Sequence, residues 1–505
     1  MQLKISVATA ALLSACATGT PVSAPAQAPL PSETLSFSPV SADSLETVRI
    51  DLTLPADTDG ETVFLFPEAW GPDEDLGQLV SNRAVFDPAT GDALPAQMDG
   101  NRVTVRAAPE QMIQLSYDIH QDYQGLPQWG VQRMPGMRPV LQPAYASLIG
   151  HTILPSVEGR DPALQVTFTG FPLGAAFSQP APDGISAPIP LSTAQDSLYA
   201  FGAYRFGETD TGVRTAILGD WRLPDADIAF TTSSVLSLAG EAFEDAAFDQ
   251  YFLAVTPLPD LPEGSSVIGT GLTESFLLLA TRNADPENLT HTITHEILHE
   301  WITRRMGQTD EATDPARMWF TEGFTEYYTQ LTLLGAGETS LEDFLQNMNA
   351  LWAEYEVSSV NTMPAGDLIA HIWDSRETER LPYQRGTLLA FHWDTLARAE
   401  GRSLDEAVAA LLDRAEAARA RGETLLLPDA AIHAALETVI GPRFEADLAT
   451  YVQGGAKLPL TALTLPSCLS VDSPPDAPAR LILTPGADRA ACRAAIAGPF
   501  ARQAR

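Results

Sequence analysis

The sequence predicts an α+β protein, with an antiparallel β-region followed by a mainly helical domain. Three observations predict it. The first third alternates apolar and polar residues with period two between Gly and Pro turn signals. Helical periodicity dominates after about residue 225. Residues 285–307 form one strongly punctuated helix. The chain has 505 residues, 45% of them hydrophobic, so it can bury large cores.

The N-terminus reads as an export signal. Lys4 precedes an apolar run from Ile5 to Leu13 that is too short for a stable span, which predicts a signal peptide over residues 1–15. Leu13-Ser14-Ala15-Cys16 resembles the lipobox of bacterial lipoproteins, whose cysteine is acylated and becomes the mature N-terminus. Cleavage after Ala17 is the alternative, since Ala15-Cys16-Ala17 fits an A-x-A site. With Ala rather than Asp at position 17, the lipobox resemblance implies an exported bacterial lipoprotein on the periplasmic face of the outer membrane, held by lipid on Cys16. Residues 16–44, rich in Ala, Pro, Ser and Thr, are expected to be a flexible tether. No run reaches 18 uninterrupted apolar residues, so no transmembrane helix is expected.

Thirty Lys and Arg against 65 Asp and Glu give a net charge of −35. That excludes a nucleic-acid partner and electrostatic docking on anionic lipid, both of which need a basic face. Three cysteines are too few for a disulfide scaffold or a Cys-rich zinc module. Outside the cytoplasm a spare pair oxidises, so Cys468 and Cys492 are expected to form a disulfide in a C-terminal tail, residues 461–505.

The β-domain is expected over residues 45–175. Thr47 to Leu52, Arg102 to Val105 and Gln114 to Ile119 alternate as half-buried strands. A catalytic domain follows over residues 176–460. In its key helix Asp285 stands as N-cap, Pro286 at the first helical position, and Gly307 as the C-terminal cap. Inside it lies His295-Glu296-Ile297-Leu298-His299, an H-E-x-x-H motif. Residues i and i+4 share a helical face, so both imidazoles reach one metal, and Glu296 stands where it can take a proton from metal-bound water.

Catalytic zinc needs a third protein ligand. A second helix is expected from about Trp319 to Leu334, and a helix hairpin would return its Glu322 to the histidines. Glu326, one turn on, either orients a histidine ligand or is a solvated or salt-bridged glutamate. His291 reads as a pocket-wall or surface residue rather than a ligand.

H-E-x-x-H followed by Trp319-Phe320-Thr321-Glu322-Gly323-Phe324-Thr325-Glu326-Tyr327-Tyr328 resembles the gluzincin metallopeptidases, nearest the glycyl aminopeptidase family and more distantly the aminopeptidase-N family. The 22 residues between His299 and Glu322 exceed the aminopeptidase-N spacer. The resemblance implies a thermolysin-like catalytic domain, one zinc per chain on His295, His299 and Glu322, and Glu296 as general base. It also implies that Tyr383, in Tyr383-Gln384-Arg385-Gly386, stabilises the oxyanion, although Arg385 replaces the usual lysine. Asp394 and Arg398 resemble a structural ion pair of the family. Gly269 to Phe276 resembles the family's edge strand, with Gly271 and Glu274 on the substrate and Glu274 as anchor for a free amine. Here the glutamate falls one residue late, which would turn it to the other face of a strand. The 45 residues after position 460 leave no room for the PDZ domain common in the family.

The expectation is thus a zinc peptidase, an aminopeptidase if Glu274 is placed to bind the amine. An endopeptidase, a non-catalytic peptide-binding lipoprotein and a hydrolase of a non-peptide cell-wall amide are the alternatives. Peptides are the expected partners, and the chain is expected to be a monomer or small oligomer.

Overall fold

The computed structural model of the chain describes residues 33–71, 73–128, 136–245, 248, 250–307, 314–423, 425–474 and 479–501. The signal peptide and Cys16 lie outside the described residues.

The N-terminal region is a stack of mainly antiparallel sheets, with one parallel pairing between Thr34–Ser41 and Ala163–Phe168. Its largest sheet has six strands, in the order Ile185–Pro190, Ala163–Phe168, Thr34–Ser41, Ser44–Pro55, Met112–His120, Val80–Phe86. The predicted alternation is realised: Val48, Ile50, Leu52 and Leu54 are buried on one face of Ser44–Pro55. They pack with Phe64 and Val103 of a four-stranded sheet and with Tyr199 and Phe201 of a third sheet, forming one core. Two boundaries shift. The expected tether ends earlier than residue 44, because Leu35 and Phe37 are fully buried in a strand that pairs with two neighbours. The β-region also runs past residue 175, through the strand Leu198–Gly202.

The second domain is less purely helical than its sequence suggests. It opens on a five-stranded sheet, in the order Arg205–Glu208, Val213–Ile217, Tyr251–Leu258, Ser275–Thr281, Val267–Leu272. Two of its three inner strands, Tyr251–Leu258 and Ser275–Thr281, are buried at every position and pair in parallel. Strands covered on both faces carry unbroken apolar runs, so period two is missing from their sequence. The outer strand Val267–Leu272 is antiparallel and forms the sheet's edge.

Helices Pro286–Leu298, Met318–Ala336 and Arg376–Ala399 follow and share one large core with the sheet. Helix Leu404–Ala420 opens on a capping box formed by Ser403 and Glu406. Asp394 binds Arg398 Nε at 2.6 Å, Tyr327 Oη at 2.7 Å and the Leu404 amide at 3.0 Å, so that ion pair joins three helices. The C-terminal segment is not a loose tail. A hairpin of Leu469–Asp472 and Arg480–Leu483 precedes helix Arg489–Ala497, and Cys468 is bonded to Cys492. Leu481, Ile496 and Phe500 belong to the main core. No described helix is long and apolar enough to cross a membrane.

Candidate metal centre and catalytic cleft

The H-E-x-x-H helix begins with Pro286 in its first turn, as expected. Asp285 does not cap it through its side chain, because that carboxylate is engaged by Arg222. The helix also does not run to Gly307. Regular α geometry stops at Leu298, and a wider turn covers Glu300–Arg304. Within it Ile302 has φ −93° and ψ 86°, and Thr303 has φ 119° and ψ −73°. A positive φ at a β-branched residue costs on the order of 1–3 kcal/mol, and such strain collects at functional sites.

Glu322 comes from the facing helix Met318–Ala336. Its Oε2 lies 3.2 Å from His295 Nε2 and 3.4 Å from His299 Nε2. Ligand atoms of all three residues fall within 4.8 Å of one another. Donors at zinc distances of about 2.0–2.1 Å stand roughly 3.3–3.4 Å apart in a tetrahedron, so this set fits a tetrahedral zinc with one position left for substrate or water.

The electrostatics agree. Burial opposes charge on His295, yet hydrogen bonds that it donates to Glu322 and Glu326 and the nearby carboxylate charge push it up to about 10. Despite burial, His299 and His295 hold Glu322 well below the usual carboxylate range. Likewise His291 and His295 hold the buried Glu326 far down. A buried and a half-buried carboxylate thus stand on either side of His295, and negative charge of this kind favours a cation at the site.

A shell of partners orients the ligands. Glu326 Oε2 lies 3.4 Å from His295 Nδ1, while Oε1 takes bonds of 3.1 Å with His291 Nε2 and 2.9 Å from Gln330 Nε2. Glu326 is thus ion-paired with His291 at 3.1 Å and also stands behind His295, so both sequence readings of it meet in this geometry, and His291 is its partner. His299 Nδ1 lies 3.4 Å from both the Ile302 carbonyl and the Thr325 hydroxyl. Thr325 sits inside the E-G-F-T-E segment and was readable there only as a helix residue.

Glu296, His299, Glu322 and Tyr383 line one cleft with Gly269, Thr270, Gly271, Thr303 and Arg304. The edge strand passes so close that a Cβ on Gly269 would stand 2.8 Å from Glu296 Cδ. Tyr383 lies beside His295, with ring centroids 5.9 Å apart. Burial first, then the charge of Glu322, push its phenol well above 10, so it stays a protonated donor. Trp70 and Met137 reach in from the β-region, a contribution without any motif in the sequence. Arg385 is turned away, donating to the Met363 and Asn361 carbonyls at 2.9 and 3.0 Å.

Gly271 lines the cleft, but Glu274 does not. It sits with φ 51° in the turn after the edge strand, accepts from Gln250 Nε2 at 3.2 Å and lines a different cavity with Arg214. The late position in the sequence has this physical result: the strand ends at Leu272 and the side chain leaves the substrate face. It is not the amine anchor in this geometry.

Residues 288–367 match the family model described as M61 glycyl aminopeptidase. No curated protein matches. Among solved structures the chain is similar to an aminopeptidase N family protein from Idiomarina loihiensis, at 15% identity, covering 87% of this chain and 79% of that one with a TM-score of 0.68. It is also similar to an M1 zinc metallopeptidase from Deinococcus radiodurans at 17% identity, covering 86% and 95% with a TM-score of 0.49. Fold, metal ligands and family match together define a zinc metallopeptidase of the aminopeptidase type. Within that class, the segment that matches the M61 glycyl aminopeptidase model contains all three candidate metal ligands.

Proposed function

We propose that this chain hydrolyses peptide bonds in the bacterial cell envelope with one zinc held by His295, His299 and Glu322. When bound, zinc supplies Lewis acidity, polarising the scissile carbonyl and making water a stronger acid. The edge strand Val267–Leu272 offers its backbone groups to an extended peptide. Glu296, beside that strand, takes a proton from the attacking water on a carboxylate oxygen and returns it to the leaving amine. The Tyr383 hydroxyl donates to the carbonyl oxygen as negative charge develops there. Trp70 and Met137 add apolar surface to the lining of the same cleft. The envelope location rests on the Leu13-Ser14-Ala15-Cys16 lipobox.

The observation that carries this reading is the convergence of two imidazoles and a carboxylate at tetrahedral spacing, in one cleft with Glu296 and Tyr383. The test is metal analysis with peptide assays. About one zinc per chain is expected, and Glu296→Gln should keep the metal while losing nearly all turnover. Glu296→Gln protein that turns over like wild type overturns the mechanism.

Aminopeptidase action follows from the family match. Cleavage of internal bonds is the second reading, and one observation favours it: Glu296 and Glu322 are the only carboxylates among the described residues lining the cleft, and both have other roles. Free-amine and N-acetylated forms of one peptide separate the two. Preference for the free amine supports the aminopeptidase, and equal cleavage supports the endopeptidase.

A further inference from the structure

Arg304 is the one Lys or Arg among the described residues lining the cleft, in a chain of net charge −35. It lies there because the helix breaks. In an uninterrupted α-helix residue 304 would point about 180° away from His295 and about 140° away from His299. The wide turn after His299, with Thr303 at φ 119°, brings it back to the cleft instead. A glycine opposite admits it: a Cβ on Gly271 would stand 1.6 Å from Arg304 Nη2. Gly271 belongs to the edge strand that an extended peptide would pair with, so the guanidinium lies against the substrate's own track. Its position is fixed by one strong contact, Nη1 donating to the fully buried Glu300 at 3.2 Å. A guanidinium carries five N–H donors, so this contact leaves donors for a ligand in the cleft.

We propose that Arg304 is a specificity-determining residue that binds a carboxylate of the substrate through its cleft-facing N–H groups. This rests on the peptidase reading above and adds its substrate class: peptides with an acidic side chain beside the cut bond, or short peptides with their terminal carboxylate within reach. The two sources share one chemistry, a planar carboxylate against a guanidinium fork. The competing role is structural, in which Arg304 only neutralises buried Glu300.

The experiment uses the zinc-loaded full chain and paired peptides. One arm exchanges Glu for Gln on either side of the scissile bond, and the other exchanges a C-terminal acid for the amide. Wild type should favour the carboxylate member of at least one pair by about tenfold or more in kcat/KM, carried mainly by KM. The arm that shows the preference names the source. Arg304→Gln should bring that ratio close to one, and Arg304→Lys should restore part of it. If Arg304→Gln does not fold, the double variant Glu300→Gln/Arg304→Gln removes both buried charges and answers the same question. Wild type indifferent to charge in both arms overturns the proposal, and so does a folded Arg304→Gln that keeps the full ratio. Should the zinc-loaded enzyme cleave no peptide, the peptidase reading fails by itself. Calorimetric binding of the same pairs to the Glu296→Gln protein, with and without Arg304→Gln, then decides the role of Arg304 separately.

Discussion

Gly323 and Gly386 meet where helices Met318–Ala336 and Arg376–Ala399 cross, and neither position has room for a side chain. A Cβ on Gly323 would stand 2.4 Å from Gly386 Cα, and one on Gly386 would stand 2.1 Å from the Trp319 carbonyl oxygen. Thr387 Oγ1 donates to the Gly323 carbonyl at 3.2 Å across the same crossing. Glu322 precedes one glycine and Tyr383 lies one turn before the other. The contact therefore sets the distance between a metal ligand and the oxyanion donor.

Gly323→Ala should push the helices apart. The expected cost is about 1–3 kcal/mol of stability from overpacking, together with weaker zinc binding because Glu322 moves with its helix. Thermal unfolding and a chelator-competition titration on the same preparation check both. A variant that loses stability while holding zinc as tightly as wild type would separate the crossing from the metal site.

Tyr383→Phe should lower kcat by about 10²–10³-fold, the usual loss for one oxyanion donor. Zinc content and KM should change little, because the phenol is held as a neutral donor by burial and Glu322. Steady-state kinetics on the zinc-loaded variant give the answer. A kcat within a few-fold of wild type would remove Tyr383 from the chemistry.

Glu326→Gln should weaken zinc binding by about 10–100-fold, since carboxylates behind a histidine ligand commonly contribute that much. The reason is local: Glu326 reaches His295 Nδ1 at 3.4 Å and also holds His291. Unchanged affinity would leave Glu326 as a partner of His291 and Gln330 alone.

Asp405 offers a test of stability against pH. Burial, reinforced by Asp394 and opposed by Arg398, pushes its carboxyl up to about 6. A folded value above the unfolded one, near 3.9, means the folded protein binds this proton more tightly. Asp405 therefore costs no stability below about pH 4, costs progressively more as pH rises to about 6, and a constant amount above, on the order of 1–3 kcal/mol. Asp405→Asn should gain on wild type between pH 4 and pH 7 in urea unfolding. A difference that is flat with pH would show that Asp405 is not shifted.

Much of the site can be read from the sequence, because its determinants are local. H-E-x-x-H puts two imidazoles on one helical face by the 3.6-residue period alone. The E-G-F and R-G-T glycines lie beside the residues whose spacing they govern, so Glu322 and Tyr383 come with their own helix contacts. The half-buried strands of the first domain alternate and are equally legible. What was not legible depends on contacts between distant segments. The parallel strands Tyr251–Leu258 and Ser275–Thr281 show no period because both faces are covered. Trp70 and Met137 reach the cleft from a domain that carries no catalytic motif. The break after His299 is invisible in a segment with helical punctuation at both ends, since it takes tertiary packing to hold Thr303 at φ 119°. That break decides that Arg304 faces the substrate track. The turn at Glu274 decides that the expected amine anchor does not. The two histidine ligands were thus determined by short-range periodicity in the sequence, and Glu322 by its resemblance to a family motif. Which charges meet the substrate was decided only where separate segments pack together.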